Sequence, residues 1–351
     1  MISRRTLARS LSALAAGALL PSPGRAQPAP LTRIAFGSCA DQDKPQPIWD
    51  AILAYRPELF IFAGDNVYGD FRTPDAAALK RAYDKAATVE GYRRLRESVP
   101  HLAIWDDHDF GQNDGGADFA HKALSKDLFL EFWKVPAGDV RRTRDGLYDS
   151  RILGPEGMRV QVILLDTRWF RSPLKRTDQR DVPGKERYLP DPDPAKTMLG
   201  PAQWRWLAEE LRKPAELRLL VSTVQVLAEG HGWERWGNFP LERQKLFDTI
   251  RDSGATGVVL LSGDRHIGAL YRETPTGLYT LTELTSSGLN KTYPFAREAG
   301  PNRLGALYGA ANFGAADIDW RARSVTLALR DESGTVRRST TLAFDDLRIA
   351  K

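Results

Sequence analysis

The chain has one cysteine, Cys39, in 351 residues. No intrachain disulfide can form, and a lone thiol is ordinarily a buried, inert small hydrophobe. Long apolar runs are also missing, so nothing beyond the first residues is suited to a membrane span. No internal repeat or low-complexity block is present, which sets aside solenoid and array architectures. Long basic runs are absent too. Lys and Arg number 50 against 45 Asp and Glu, giving a net charge of +5 and a pI of about 9.2. The basic residues are scattered, and much of the excess lies at the N-terminus. Such a balance suits an anionic substrate without demanding a nucleic acid. Ser222 and Ser262 lie near expected strand ends, but no Gly-x-Ser-x-Gly turn joins a strand to a helix. That argues against a serine hydrolase.

What is present is the composition of an ordinary globular protein, 42% hydrophobic and 27% charged. The length allows one large domain or two small ones with a sizeable core. Residues 1–26 read as a leader rather than as fold. Ser3-Arg4-Arg5-Thr6-Leu7 is a twin-arginine sequence, residues 11–20 are modestly apolar, and Gly24-Arg25-Ala26 is a small-residue cleavage site before Gln27. This is the pattern of a Tat signal. The expectation is export of the folded protein by the Tat translocase, to the periplasm or beyond, with residues 27–351 as one mature domain.

The rest of the chain is organised around residues 59–70, LFIFAGDNVYGD. A short apolar run stops abruptly at Gly64 and Asp65, which reads as a buried strand with Asp65 just past its carboxyl end. Open α/β sheets put their ligands there. Tyr68 can turn its phenol toward the same point, and a carboxylate with a phenolate suits a highly charged cation. A strand, a turn, a solvated Asp and a packing Tyr would account for this stretch equally well.

Further strands are expected over 32–36, 101–105, 146–151, 159–165, 217–226, 257–261, 268–272, 278–285, 324–330 and 336–344, and helices over 46–55, 75–99, 120–133, 201–211 and 241–251. Residues 171–196 and 229–239 read as long surface loops. Strands alternating with helices argue an α/β core, and the β-rich end argues a second sheet packed on the first. A four-layer α/β/β/α sandwich satisfies both.

Four expected strand ends deliver metal-type or acid/base residues: Cys39, Asp65 with Tyr68, Asp107 with His108, and Asp264 with His266. Such ends can converge at one rim of a sheet. The set mixes thiolate, phenolate, carboxylate and imidazole, so it can hold two unlike ions bridged by one carboxylate. Two ions about 3.5–4 Å apart form a clamp for in-line displacement at phosphorus. His101, His121 and His231 read as structural or exposed. Trp233, Trp236 and Phe239 either pack a loop or line a cleft.

These pieces resemble the alkaline phosphatase D (PhoD-like) family of metallophosphatases, related to purple acid phosphatases. The matching motifs are GSC at Gly37, GDNVYGD at Gly64, WDDHD at Trp105 and SGDRH at Ser262, with LLDTR at Leu164, WGNFP at Trp236 and ELTSSGL at Glu283 in support. They span residues 33–290. The resemblance implies an exported phosphoesterase holding a ferric ion (Fe3+) and one or more calcium ions (Ca2+), acting on mono- or diesters through a metal-bound hydroxide. It implies that Cys39, Asp65, Tyr68 and His266 hold the iron, with a visible charge-transfer band from the phenolate. Asp65 bridges to calcium, Asp107 and Asp264 are further ligands, and Asn113 completes that shell. His108 touches the phosphate or protonates the leaving group, and Arg265 pairs with phosphate oxygens. A phosphodiesterase acting on lipid or cell-wall phosphodiesters, and an exported metal- or phosphate-binding protein without catalysis, are the rival readings. Three features depart from the family pattern. No β-domain counterpart precedes Gly37, Asp109 replaces the usual Glu after WDDH, and only Gln225 stands near the fourth, histidine-bearing motif.

Overall fold

A computed structural model describes residues 29–349. The twin-arginine stretch and its cleavage site lie outside the described residues. The first half of the chain builds β1 (Arg33–Gly37), α1 (Ile48–Tyr55), β2 (Leu59–Ala63), α2 (Ala77–Thr88), α3 (Glu90–Ser98), β3 (His101–Ile104), α4 (Asp107–Phe110), α5 (Lys122–Phe132), β4 (Asp149–Leu153) and β5 (Val160–Leu164). It continues through α6 (Gly200–Leu211), β6 (Leu217–Val221), α7 (Pro240–Ser253), β7 (Val258–Ser262), β8 (Gly268–Glu273), β9 (Leu281–Ser286), β10 (Arg303–Tyr308), β11 (Asn312–Asp319), β12 (Ser324–Asp331) and β13 (Val336–Ala343).

Two mixed sheets result. One has six strands in the order β13-β12-β11-β1-β2-β3, the other seven in the order β10-β8-β9-β7-β6-β5-β4. Within the first, β1, β2 and β3 are parallel. Within the second, β5, β6, β7 and β9 are parallel. β2, β5, β6 and β7 are buried at every residue, as strands covered on both faces must be. The sheets pack face to face, with Leu329 of β12 against Gly268 of β8. Trp49 of α1 seals the outer face of the first sheet, its ring centroid 5.9 Å from Phe60 and 6.1 Å from Phe62. Each such aromatic pair adds about 0.5–1.5 kcal/mol beyond the area it buries. α6 covers the second sheet, and Gln161 of β5 donates to the Glu210 carbonyl at 3.0 Å. The four-layer α/β/β/α sandwich expected from the sequence is therefore the fold.

Several expectations need correction. The helix over 75–99 is two helices, because the β-branched pair Thr88-Val89 ends the first and Val89 is extended (φ −68°, ψ 113°). The strand beginning at Leu217 stops at Val221 instead of running to 226, and residues 222–226 turn away along the rim. The β-rich end does not make the second sheet by itself. β11, β12 and β13 complete the first sheet, where β11 pairs antiparallel with β1. β11 reads NFGAADID, and its Gly, Ala and Asp residues carry little β signal. Gly314 is required there, since a Cβ would fall 2.0 Å from the Phe36 ring.

Candidate metal centre

The carboxyl ends of β1, β2, β3 and β7 meet at one rim where the two sheets converge. Whereas β3 passes through an extended Asp106 straight into a short helix, β1, β2 and β7 leave by tight turns that hold the delivered residues in the left-handed backbone region: Cys39 (φ 64°), Asp65 (φ 49°), Asp264 (φ 67°) and His266 (φ 58°). Non-glycine residues there cost about 1–3 kcal/mol each and cluster at functional sites. The ends approach closely at Gly263, where a Cβ would fall 2.5 Å from the Ser38 hydroxyl oxygen.

On one side of the rim the donors touch one another. Cys39 Sγ lies 3.4 Å from Asp65 Oδ2 and 3.0 Å from Ser287 Oγ. The Tyr68 hydroxyl donates to Asp65 Oδ2 at 3.1 Å and stands 3.3 Å from His266 Nε2. Burial pushes the Cys39 thiol up to about 11. Burial, then the Asp107 carboxylate, raises Asp65 well above the usual carboxyl range. Burial, together with Lys291 and Arg265, pushes His266 down to about 3, so its imidazole is neutral.

The other side is acidic and braced by arginine. The ligand atoms of Asp106, Asp107 and Asp264 lie within 4.8 Å of one another, and so do those of Asp107, Asp114 and Glu234. Arg168, wholly buried, reaches Asp106 Oδ1 at 2.5 Å with Nε and Glu234 Oε2 at 2.7 Å with an Nη. Arg171 Nε lies 3.0 Å from Glu234 Oε1, and its guanidinium donates to the Gly115 carbonyl at 2.7 Å. The Thr223 hydroxyl also donates to Asp106, at 2.7 Å. Burial, then Asp106 and Asp107, raises Asp264 well above its usual range.

His108 is the second residue of the four-residue helix α4, at the seam of the two sides. Its backbone N–H donates to Asp65 Oδ1 at 3.2 Å, and its Nδ1 pairs with Asp70 Oδ2. Burial works against its charged form, but the Asp107, Asp65 and Asp70 carboxylates outweigh that and push His108 up to about 10. A cavity of about 320 Å³ opens in front of this array, with His108, Asn113, Arg265, Trp233 and Tyr293 on its walls. Arg265 donates to Glu298 and lies over the Trp233 indole, 4.9 Å from its centroid.

The donors fit metal ions. Among the described residues Asp107 Oδ1 and Asp106 Oδ2 are buried with no hydrogen-bond partner, an expensive state for a carboxylate oxygen without a cation. The groups are also chained. Cys39, Asp65 and His266 form one, Asp65 recurs with Asp107 and His108, and Asp107 recurs in two more. Shared carboxylates of this kind suit adjacent ions.

The structure brings Cys39, Asp65, Tyr68, Asp107, His108, Asp264 and His266 together. Asn113 is on the cavity wall but exposed, and its side-chain amide donates to Asp114 at 2.9 Å. His101 is half-buried beside Trp133, His121 stacks on Phe71, and His231 is buried away from the donors against Gln225, at 3.1 Å. Gln225 also reaches Tyr271 and Thr285 inside the core and does not line the cavity. Trp236 and Phe239 pack the core, and Trp233 lines the cavity. Sequence reasoning missed Asp70, Asp106, Asp114, Arg168, Arg171 and Glu234. Asp70, Asp106 and Arg168 lay inside the GDNVYGD, WDDHD and LLDTR motifs, the usable signal, whereas Asp114, Arg171 and Glu234 lay outside every motif.

Comparison with known proteins identifies the family and the fold. Residues 34–303 match the model of the PhoD-like phosphatase family. Alkaline phosphatase D of Bacillus subtilis (strain 168) is 22% identical over 287 residues, covering 70% of this chain and 47% of that protein. The chain thus spans about half the length of the curated relative it matches. Among solved structures, PhoD superposes with a TM-score of 0.71 at 16% identity, covering 94% of this chain and 72% of that one. The purple acid phosphatase of yellow lupin (Lupinus luteus) seeds gives 0.59 at 11% identity, covering 91% and 55%. At these identities the superpositions speak for the fold alone. The family match covers most of the chain, and the chain belongs to the PhoD-like phosphatase family.

Proposed function

We propose that this protein is an exported, metal-dependent phosphoesterase that hydrolyses phosphate mono- or diesters. The observation that carries the reading is the chain of donor groups linked through Asp65 and Asp107, opening on a cavity walled by His108 and Arg265. In this reading Cys39, Asp65, Tyr68 and His266 hold Fe3+. Asp65 would be shared with Ca2+, Asp107 and Asp264 would be further ligands, and Asp114 and Glu234 would add oxygen donors. Asn113 stands beside them. When bound, the ions supply Lewis acidity and offset charge on the phosphoryl group.

The chain's own residues supply the rest. Arg168 and Arg171 fix the carboxylates that face the cavity. Asp70 engages His108 Nδ1, so a proton for the departing alkoxide comes from Nε2. Before any cation binds, His108 is protonated at neutral pH, as a general acid must be. Arg265, aligned by Glu298 and Trp233, offers its guanidinium edge to phosphate oxygens. Export by the Tat translocase rests on Arg4 and Arg5 in the leader. No helix among the described residues is long and apolar enough to cross a membrane.

The test is elemental analysis of the exported protein together with turnover of a chromogenic phosphate ester. Iron, calcium and turnover are expected together. Stoichiometric metal with no turnover of mono- or diesters would return the protein to a metal-binding role.

A further inference from the structure

Beside the first cavity lies a second of about 270 Å³, which shares Asn113, Asp114 and Arg187 with it and adds Arg176, Arg180 and Tyr188. Apart from Asn113 and Asp114, these side chains come from the loop over 171–196. The loop folds back on itself: Thr177 N–H donates to the Arg187 carbonyl and Leu189 N–H to the Lys175 carbonyl, both at 2.9 Å. That pairing sets Arg176 across from Tyr188 and beside Arg187. The Arg187 and Tyr188 N–H groups both donate to the Gly232 carbonyl, at 3.0 and 2.7 Å, tying the loop to the segment that carries Trp233.

The wall is cationic and largely uncompensated. Neither Arg176 nor Arg187 makes an ion pair among the described residues, and Arg187 Nε is buried with no hydrogen-bond partner. Arg187 lies over the Trp233 indole, 5.3 Å from its centroid, at the junction of the two cavities. Among the described residues Arg180 pairs only with Asp181, at 3.7 Å with both side chains exposed, a contact of little strength. Of the loop's other acids nearby, Asp178 is taken by Lys185 at 3.0 Å, and Glu186 accepts the backbone N–H groups of Gly184 and Gly232. Asp114 brings one carboxylate to the lining and offsets part of this charge. Its Oδ2 accepts from the Tyr188 hydroxyl at 2.7 Å and from the Asn113 amide, and its carboxylate groups with Asp107 and Glu234.

We propose that the second cavity is an anion subsite for a phosphoryl group on the same substrate molecule as the scissile one. The substrate class is then phosphate esters carrying a second phosphate or phosphodiester, gripped by Arg176, Arg180 and Arg187 while the first phosphoryl group faces His108. The subsite rests on the reading of the first cavity as a phosphoesterase site.

Phosphonates test it without turnover. A graded series of α,ω-alkane bisphosphonates and the matching single-headed alkylphosphonates is titrated calorimetrically into the metal-loaded protein. The best two-headed ligand is expected to bind at least about tenfold tighter than its single-headed counterpart, an advantage that shrinks with added salt. Arg176 and Arg180 are exposed, so R176A/R180A threatens the fold little. In that variant the advantage should fall below about threefold, and in R176E/R180E it should vanish. Equal affinities for one- and two-headed ligands in the parent, or an advantage untouched by these variants, overturns the subsite. A preference for two heads in a protein that hydrolyses no ester keeps the subsite and removes the hydrolase reading. Turnover of simple esters without that preference removes the subsite alone.

Discussion

The two sides of the rim solve the same electrostatic problem differently. Around Cys39, Asp65, Tyr68 and His266, donors face donors, with Sγ, phenol and imidazole all within 3.4 Å of another member. Lys291 lies over the Tyr68 ring instead of pairing with a donor atom. Around Asp106, Asp107, Asp114 and Glu234 the charge is partly offset beforehand by Arg168 and Arg171. The first side can stay neutral only by holding protons. The second stays folded as a braced acidic cage. The difference is one of timing: one half acquires its countercharge from the ion, the other carries part of it in the fold.

The sharpest break of that contrast is Asp65→Asn, because Asp65 belongs to both sides. Iron and calcium should be lost together and turnover should fall below detection. Cys39→Ser is the comparison. It should lower iron and visible absorbance while calcium stays, since no acidic-side group includes Cys39. Elemental analysis separates the cases, and equal loss of both ions in Cys39→Ser would mean that the two sides are one site.

His108 sits on the seam, so its variant asks whether chemistry and metal binding are separable there. His108→Ala should lose about 10²–10⁴-fold in rate on esters with poor leaving groups. The loss should be much smaller where the alcohol is acidic enough to leave unprotonated, and metal content should match the parent. A uniform loss across leaving groups would make His108 a phosphate positioner. A parallel loss of metal would make it a ligand.

How legible each side was follows from how it is built. Cys39, Asp65 and His266 each follow a short apolar strand within a few residues, so a strand-end reading of the sequence reaches them. Glu234 and Arg168 are 66 residues apart, and Arg168 and Asp106 are 62 apart. A buried cation in a polar stretch has no period and no composition signal; its partners exist only in three dimensions. The same holds for the fold. β2 announces itself as LFIFA, whereas β11 is a central strand only because Phe36 and β12 close around its small residues. Asp70 was inside the best-read stretch, yet its role depends on where a short helix places His108, 38 residues later.

Arg168→Met tests the bracing. It leaves Asp106 and Glu234 buried without their shared guanidinium, and unpaired buried charges of this kind cost about 3–5 kcal/mol. Denaturant unfolding of the metal-free protein measures it. A loss under about 1 kcal/mol would mean that the cage holds its charge by other means. Arg168→Lys should recover only part of the loss, because one ammonium cannot serve both carboxylates as the planar fork does.

The smallest effect, and the one that compares the two sides within a single protein, is the pH dependence of stability without metal. Asp65 and Asp264 are raised above their ordinary 3.8, by burial first and by neighbouring carboxylates second. Burial also lifts Asp109 to about 8, against hydrogen bonds from Asp106 and Asn66. At these carboxyls, through the window from 3.8 to about 8, the native state holds more protons than the unfolded chain and their contribution falls as pH rises, against His266, whose depressed imidazole adds stability as pH climbs from about 3 to 6.5. His108 acts in the same direction. Its stabilising charge is fully present below 6.5 and is lost as pH climbs toward about 10. Asp107 opposes them: burial notwithstanding, the His108 and Arg168 charges hold it below its ordinary value, so its contribution is lost only on acidification below 3.8. The metal-free protein should accordingly be most stable near pH 5, with a Tm that declines by several degrees toward pH 9. Metal ions bind the deprotonated donors, so saturating metal should flatten or reverse that slope. Thermal unfolding of both forms across pH measures it. A metal-free Tm that rises from pH 5 to 9 would mean that the donor-rich side is not held by protons, and the contrast between the two sides would fail.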